Sequence, residues 1–270
     1  MQEPAMNYQT LNISAQGFIL EVRLSRPQVR NAMSLEMVNE LTDLFRSLSR
    51  QTEVRALVLR GAEGHFCAGG DIKDMANARA RAGDDSVNPY YRLNRAFGEM
   101  ITLADRLPLV VITVLEGAVL GGGLGLACVS DVAITLESAQ FGLPETGLGV
   151  IPAQIAPFVV TRVGLTQARR LALLGERFDG AEAVRLGIAH YLCASAEELE
   201  ERLQQVLTQV KRVAPGATAT TKRLLHQVGE MDMEPLLDKA AEQFAAAVIG
   251  EEGSEGTLAF VGKRLPAWAQ

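Results

Sequence analysis

The chain has 270 residues, enough for one large core or for one core with a helical appendage. Its 32 acidic and 26 basic residues give a formal charge of −6, which disfavours an extended surface for the phosphate backbone of nucleic acids. The three cysteines are isolated and lie in apolar segments, so neither a disulfide framework nor a metal site is indicated. No stretch has the apolar length of a membrane span, and we expect a cytoplasmic protein.

Strand-like and helix-like spacing alternate through the first half of the chain. A hairpin is predicted around Gly17, and a polar, small-residue stretch over 75–87 is predicted to be a mobile flap. The remaining predicted elements are helices at 35–49, 90–107 and 121–130 and strands at 54–59, 109–115 and 132–135. This strand–turn–helix rhythm predicts an α/β core with crossover connections.

The second half changes character and is almost wholly helical from residue 153 onward. We therefore divide the chain into an α/β core at 1–195, which would hold the functional site, and a helical C-terminal region at 196–270. The tail has apolar faces to bury, either on the core or on a neighbouring subunit.

Two glycine-rich turns, 65–71 and 117–125, each follow an apolar run and open a helix-like segment. Backbone amides at such turns can approach a ligand closely and carry partial positive charge, which suits a developing oxyanion. Close packing of a strand on a helix is the alternative explanation. A third segment, 141–147, offers the carboxylate of Glu145, which could instead cap a short helix.

The order of these segments resembles one family. The run Phe-Cys-Ala-Gly-Gly-Asp-Ile-Lys-Asp-Met at 66–75 resembles the first signature of the crotonase (enoyl-CoA hydratase/isomerase) superfamily. Segments 117–131, 140–152 and 259–264 resemble the rest of the pattern in register. The resemblance implies an α/β spiral of ββα units with a C-terminal helical region, an acyl-CoA substrate, and no cofactor beyond the coenzyme A of that substrate.

The resemblance also implies roles for individual residues. Gly70 and Gly122 would donate oxyanion-hole amides to the thioester carbonyl, and Glu145 would be the acid/base. The positions matching substrate or coenzyme contacts are Ala68, Asp71, Ile72, Phe260 and Lys263. Asp71 could instead cap the following helix, and Lys263 could be an ordinary exposed lysine.

The chain departs from the two-glutamate hydratase pattern, because Gly125 stands at the first glutamate position. Segment 149–160 resembles hydratases of branched glutaconyl-CoA, either 3-methylglutaconyl-CoA in leucine breakdown or isohexenylglutaconyl-CoA in terpene breakdown. Arg92 and Arg95 are candidate partners for the terminal carboxylate of such a substrate, unless they form a solvated helix face.

Two alternatives stay open at this point. A Δ3,Δ2-enoyl-CoA isomerase would use one carboxylate to shuttle a proton, and a non-catalytic acyl-CoA-binding or RNA-binding member would need no acid/base. The expected partners are an acyl-CoA and further copies of the chain, as a trimer or a dimer of trimers, without nucleic acid or membrane.

Overall fold

The structure is a computed structural model that describes residues 8–71, 73, 74, 76 and 88–270. Ile72 and nearly all of the predicted flap at 75–87 lie outside the described residues. The strands are β1 Leu11–Gln16, β2 Ile19–Leu24, β3 Ala56–Gly61, β4 Val110–Leu115, β5 Ala118–Leu120, β6 Val132–Leu136, β7 Gln140–Gly142, β8 Arg177–Phe178 and β9 Tyr191–Cys193. The helices are α1 Leu35–Leu48, α2 Pro89–Asp105, α3 Gly122–Val129, α4 Ala156–Leu174, α5 Gly180–Arg185, α6 Ala196–Arg212, α7 Pro215–Gln227, α8 Met233–Ile249 and α9 Glu251–Val261.

The main sheet has six strands in the order β1-β2-β3-β4-β6-β9. Strand β1 pairs antiparallel with β2 through the predicted hairpin, and the remaining pairs are parallel. A second sheet joins β5, β7 and β8. The predicted α/β class with a helical C-terminal region is confirmed.

Both faces of the main sheet are covered, as a largely parallel sheet requires. Successive residues of β3 alternate between the two faces. Leu57 and Leu59 belong to a core shared with α1, α2 and α3, whereas Ala56 and Val58 pack in a second core against α6. Helix α6 thus covers the sheet, and the proposed division at residue 195 stays a prediction.

Local chemistry explains where several elements begin and break. Ser34 caps α1 by accepting a hydrogen bond from the Met37 amide at 3.2 Å. Gly164 has φ 75° and ψ 158°, which interrupts the helical backbone of α4. Among the described helices, none combines the length and the apolar character needed to cross a membrane.

Arg55, just before β3, ties the sheet to the C-terminal part of the chain. Its guanidinium donates to the carbonyls of Val210, Lys211 and Val213 at 2.8, 2.9 and 2.7 Å, and to Trp268 O at 2.8 Å. A cation at the end of α6 also complements the negative end of the helix dipole. Removing the side chain leaves several carbonyls without this donor.

We therefore expect Arg55→Met to lower the free energy of unfolding by about 2–4 kcal/mol, because hydrogen bonds to a charged group contribute about 1.5–3 kcal/mol each and do not add. Urea denaturation followed by circular dichroism measures the change. Arg46→Met is the matched control, since Arg46 pairs with Glu99 at the exposed surface and should change stability by less than about 1 kcal/mol. Equal losses in the two variants would contradict the assignment.

Candidate active site at the two glycine-rich turns

The first glycine-rich turn is held against β5. The Phe66 and Cys67 amides donate to the carbonyls of Glu116 and Ala118, both at 2.8 Å, and the Leu120 amide donates back to Cys67 O at 2.9 Å. The turn after β3 therefore continues beside the segment after β4. Because β3 and β4 are parallel neighbours, both turns arise at the same edge of the main sheet.

The two turns touch at positions that require glycine. Gly69 has φ +101° and Gly121 has φ +50°, both in the region that side chains rarely adopt. A Cβ atom on Gly121 would lie 3.5 Å from Gly69 Cα and 2.8 Å from Glu145 Oε1. The three segments singled out in the sequence, 65–71, 117–125 and 141–147, therefore meet at Gly121.

The Gly70 amide points away from Met33, the residue with which Gly70 forms a parallel bridge. In a parallel bridge, the Met33 amide donates to Gly69 O at 2.8 Å and the Asp71 amide donates to Met33 O at 2.9 Å. The Gly69 carbonyl and the Asp71 amide both bond to Met33, so the N–H of Gly70 itself points to the side away from Met33. The residue is exposed, so a ligand can approach the turn at this position.

Gly122 is the first residue of α3 and has a similarly open amide. The first bond of the helix runs from the Gly125 amide to Gly121 O at 3.0 Å, so the Gly122 N–H has no partner inside the helix. A Cβ atom on Gly122 would lie 2.9 Å from the ring of Phe97 and 3.6 Å from Met33 Sδ. Gly122 therefore lies beside apolar side chains, and its amide is at the positive end of a helix dipole.

Glu145 begins a short 3-10 helix, Glu145–Leu148, that is anchored on α4 by a hydrogen bond from Thr146 Oγ1 to Ala172 O at 2.9 Å. The side chain is half-buried. Its Oε2 atom is buried and has no hydrogen-bond partner within the described part of the chain. Burial raises the pKa of the carboxyl, opposed in part by a hydrogen bond from its own backbone. A carboxyl so placed can exchange protons with a ligand.

Position 125 does not open onto empty space. A Cβ atom on Gly125 would lie 2.5 Å from Ile155 Cγ2 and 3.1 Å from Ile101 Cδ1. The position where the family pattern has a further glutamate is thus packed against Ile101 of α2 and against Ile155, which directly precedes α4. Among the described residues, no group of three or more His, Cys, Asp or Glu is arranged to hold a metal.

Arg92 and Arg95 lie on helix α2, which packs over the second glycine-rich turn, and both residues are exposed. A Cβ atom on Gly98, one turn along, would lie 2.8 Å from Arg95 Nη1 and 1.9 Å from Gln154 Oε1. Gln154 Nε2 also donates to Asn94 Oδ1 at 2.8 Å. Arg95 therefore shares the surface over Gly98 with the segment that precedes α4.

Asp71 is buried and engaged within the chain. Its Oδ2 lies 2.6 Å from Arg26 Nη2, and its Oδ1 accepts from the Lys73 amide at 2.8 Å. Burial alone would raise the pKa of this carboxyl, but the hydrogen bond and charge of Arg26 and the amide of Lys73 outweigh it and hold the pKa below its usual value. Asp71 thus occupies the capping position. Ala68 is half-buried, with its amide bonded to Arg30 O at 3.0 Å.

The two C-terminal candidates lie at the far end of the tail. Phe260, on α9, is 85% exposed, so it is not packed on the glycine turns of its own chain. Lys263 follows that helix in a left-handed conformation with φ 50° and is also exposed. Their contact with the coenzyme stays a prediction.

Several residues around the turns were missed by sequence reasoning, namely Arg26, Asn31, Phe97, Gln154 and Ile155. Each belongs to a helix or loop distant in sequence from the turn that it contacts. A local signal existed for Asn31, because asparagine tolerates the left-handed φ of 57° found there. The isoleucine against Gly125 had no local signal.

Known proteins resemble this chain in sequence and in fold. Over residues 14–270 the chain matches the family described as Enoyl-CoA hydratase/isomerase. It is 58% identical to the solved structure of AtuE from Pseudomonas aeruginosa, with a TM-score of 0.94 over 97% of this chain and 100% of that one. An enoyl-CoA hydratase/isomerase from Marinobacter aquaeolei is 59% identical, with the same TM-score and coverage.

A curated relative, the enoyl-CoA hydratase ACTT6 of Alternaria alternata, is 31% identical over 258 residues, which are 94% of this chain and 83% of that protein. Relatives named as enoyl-CoA hydratases are consistent with a hydro-lyase that acts on acyl-CoA. The match extends through nearly the whole chain, from β1 to the C-terminus. The chain belongs to the enoyl-CoA hydratase/isomerase family, the crotonase superfamily.

Proposed function

We propose that the protein hydrates a branched glutaconyl-CoA thioester, isohexenylglutaconyl-CoA or 3-methylglutaconyl-CoA, with Glu145 as acid/base. The observation that carries the proposal is the position of Glu145, whose Oε1 would lie 2.8 Å from a Cβ on Gly121 and whose Oε2 is buried without a partner among the described residues. A carboxyl is thus directed at the junction of two turns with open amides. This arrangement suits an enolate intermediate.

In the proposed mechanism the amides of Gly70 and Gly122 donate to the thioester oxygen. Such donors act on charge that develops during the reaction, and removing one typically costs about 3–4 kcal/mol of transition-state stabilisation. The partial positive charge at the start of α3 adds to the effect at Gly122. An alanine at position 70 or 122 would still have a backbone amide. The role of the glycines is therefore to leave room for the thioester oxygen to reach that amide.

In this mechanism Glu145 takes up one proton and then donates it. As a carboxylate it takes a proton from water while the water oxygen bonds to the β-carbon of the substrate, and the electrons of the double bond move to the thioester oxygen. The protonated Glu145 then gives its proton to the α-carbon and the thioester carbonyl is restored. Burial raises the pKa of this carboxyl, which brings its basicity closer to that needed near neutral pH.

A branched glutaconyl group ends in a carboxylate, which needs a cation or water when it is enclosed. We assign this role to Arg95, with Arg92 one turn away, because Arg95 lies over Gly98 on α2 and the same helix contacts Gly122 through Phe97. The substrate carboxylate can in turn help to place the attacking water, since Gly125 offers no second acid. Ala68, Ile72, Phe260 and Lys263 are retained as proposed coenzyme contacts.

The proposed setting is cytoplasmic breakdown of leucine or acyclic terpenes by a homo-oligomer, a trimer or a dimer of trimers. Exposed apolar side chains in the tail support self-association. Phe244 is 71%, Ile249 82% and Phe260 85% exposed, and burial of such side chains normally accompanies a subunit contact.

Loss of the enoyl-thioester absorbance on mixing the protein with a branched glutaconyl-CoA tests the proposal directly. A hydratase removes the conjugated double bond and lowers the absorbance. An isomerase acting on an unconjugated enoyl-CoA would instead raise it, and that result, without hydration, would replace our proposal. No change with any enoyl-CoA would contradict both activities.

We expect Glu145→Gln to lower kcat for hydration by about 10²–10⁴-fold, because general acid–base catalysis contributes that much. Binding of a saturated acyl-CoA, measured by calorimetry, should change little since both amides remain. Glu137→Gln is a control on an acidic residue outside the site. A Glu145→Gln enzyme that keeps more than about a tenth of the activity would disprove the assigned acid/base.

The same variant has a predicted effect on stability. A carboxyl whose pKa is raised in the folded state adds stability that is present at pH below its ordinary value of 4.5 and is lost as pH rises through the raised value. Wild type should therefore lose stability relative to Glu145→Gln between acidic and neutral pH. Thermal unfolding across that range measures the difference, and parallel curves would contradict it.

Arg95→Gln should raise KM for the glutaconyl substrate about fivefold, since a partly exposed ion pair contributes up to about 1 kcal/mol. Turnover of a straight-chain enoyl-CoA without the terminal carboxylate is the internal control and should stay constant. The methyl ester of the glutaconyl group should lower kcat in wild type more than it weakens binding. Equal kcat for acid and ester would show that the carboxylate does not place the water.

The packing around position 125 should not accommodate a second glutamate. Gly125→Glu is expected to lower the free energy of unfolding by about 1–3 kcal/mol or more, because even its Cβ would be 2.5 Å from Ile155 Cγ2. The double variant Gly125→Glu/Ile155→Gly should recover part of this loss in urea denaturation. A stable single variant with enhanced hydration of straight-chain enoyl-CoA would contradict the packing observed.

A further inference from the structure

We propose that Arg26 is a positioning residue for the oxyanion amide of Gly70, acting through its ion pair with Asp71. The inference rests on the proposed role of Gly70. Arg26 Nη2 lies 2.6 Å from Asp71 Oδ2, and the two side chains are only 18% and 7% exposed. The same guanidinium donates from Nη1 to Ala32 O at 2.6 Å. Arg26 therefore joins the segment after β2 to the residue that follows Gly70.

The backbone of the same segment holds the glycine turn on both sides of Gly70. The Ala68 amide donates to Arg30 O at 3.0 Å, before the glycine. Met33 bonds to both neighbours of Gly70, through its amide to Gly69 O at 2.8 Å and through its carbonyl to the Asp71 amide at 2.9 Å. We call residues 26–33 the clamp.

Asn31 fixes the clamp internally. It is fully buried and adopts a left-handed φ of 57°. Its Oδ1 accepts from the Arg26 amide at 2.9 Å, and its Nδ2 donates to the carbonyls of Ala62 and His65 at 2.9 and 2.6 Å. The side chain thus links the clamp to both ends of the short connection between β3 and the first turn.

A clamp is needed because a glycine has no side chain to hold it in place. Gly70 is exposed and glycine is conformationally permissive, whereas oxyanion stabilisation depends on a donor that is already in position. A displacement of about 1 Å can cost about 10²-fold in rate.

Charge gives Arg26 a second effect. Asp71 is adjacent to Gly70, and an unpaired carboxylate there would oppose the negative charge that develops on the thioester oxygen. Arg26 neutralises that carboxylate at 2.6 Å. Removing Arg26 alone should therefore be worse than removing both charges together.

The test compares Arg26→Met, Asp71→Asn and the double variant Arg26→Met/Asp71→Asn. For Arg26→Met we expect kcat to fall about 10–100-fold with KM within about threefold, because the lost interaction acts mainly on the transition state. The double variant should regain part of kcat. A purely structural role predicts instead that the double variant is at least as impaired as Arg26→Met.

The infrared C=O stretch of a bound saturated acyl-CoA, labelled with ¹³C at the thioester, reports the amide directly. Hydrogen bonding lowers this frequency in wild type, and Arg26→Met should show a smaller shift. Lys222→Met is the matched control, because Lys222 is 11% exposed and pairs with Asp131 at 2.7 Å by the opposite end of β4. It should change stability without changing the C=O shift.

Wild-type kcat and an unchanged C=O shift in Arg26→Met would overturn the inference. This outcome is distinct from failure of the proposed function, which would appear as a wild-type protein that hydrates no enoyl-CoA. The infrared measurement needs no turnover, so it judges the clamp in either case. Arg26→Lys, which keeps the charge, provides a second variant if Arg26→Met does not fold, and it should retain more of the shift than Arg26→Gln.

Discussion

The close approach of the backbones at Gly69 and Gly121 is the contact on which the site depends. Both residues have positive φ, and a Cβ on Gly121 would lie 3.5 Å from Gly69 Cα. Parallel pairing of β3 with β4 brings the two turns to one edge of the sheet, and pairing of β5 with β7 then places Glu145 beside them. The main sheet supplies the turns, and the small second sheet aligns the carboxyl with them.

Sequence reasoning predicted the parts of this arrangement that depend on local pattern. The period of apolar residues indicated α1 and α2, and the glycine spacing indicated both turns. Strands β5 and β7 have three residues each, which is too few for a period of apolar residues to be visible. Their pairing nevertheless places Glu145 beside the two turns. Their formation depends on Cys67 and Phe141, which are distant in sequence from the residues that they pair with.

The supporting contacts of the site could not be predicted for a related reason. The pairs Arg26 with Asp71, and Gly125 with Ile155, are made by tertiary packing, and neither partner marks the other in the sequence. Asp71 illustrates the difference. Its position in the signature pointed to the ligand or to a helix cap, whereas the charge that it meets comes from the segment after β2. A residue type can indicate chemistry, but its partner is known only once the chain is folded.

The packing at Gly125 bears on the proposed mechanism, in which one carboxyl serves both proton transfers. Ile101 and Ile155 pack against Gly125, so the surroundings of the position where another acid would stand are apolar. Burial raises the pKa of Glu145 by desolvation and so strengthens it as a base, at some cost in stability. Because apolar side chains cannot orient water, the proposed mechanism takes that orientation from Glu145 and from the substrate. In the proposed function, the carboxylate of the substrate, held by Arg95 on α2, supplies the missing polar group, which connects the glycine at position 125 with the choice of acyl group.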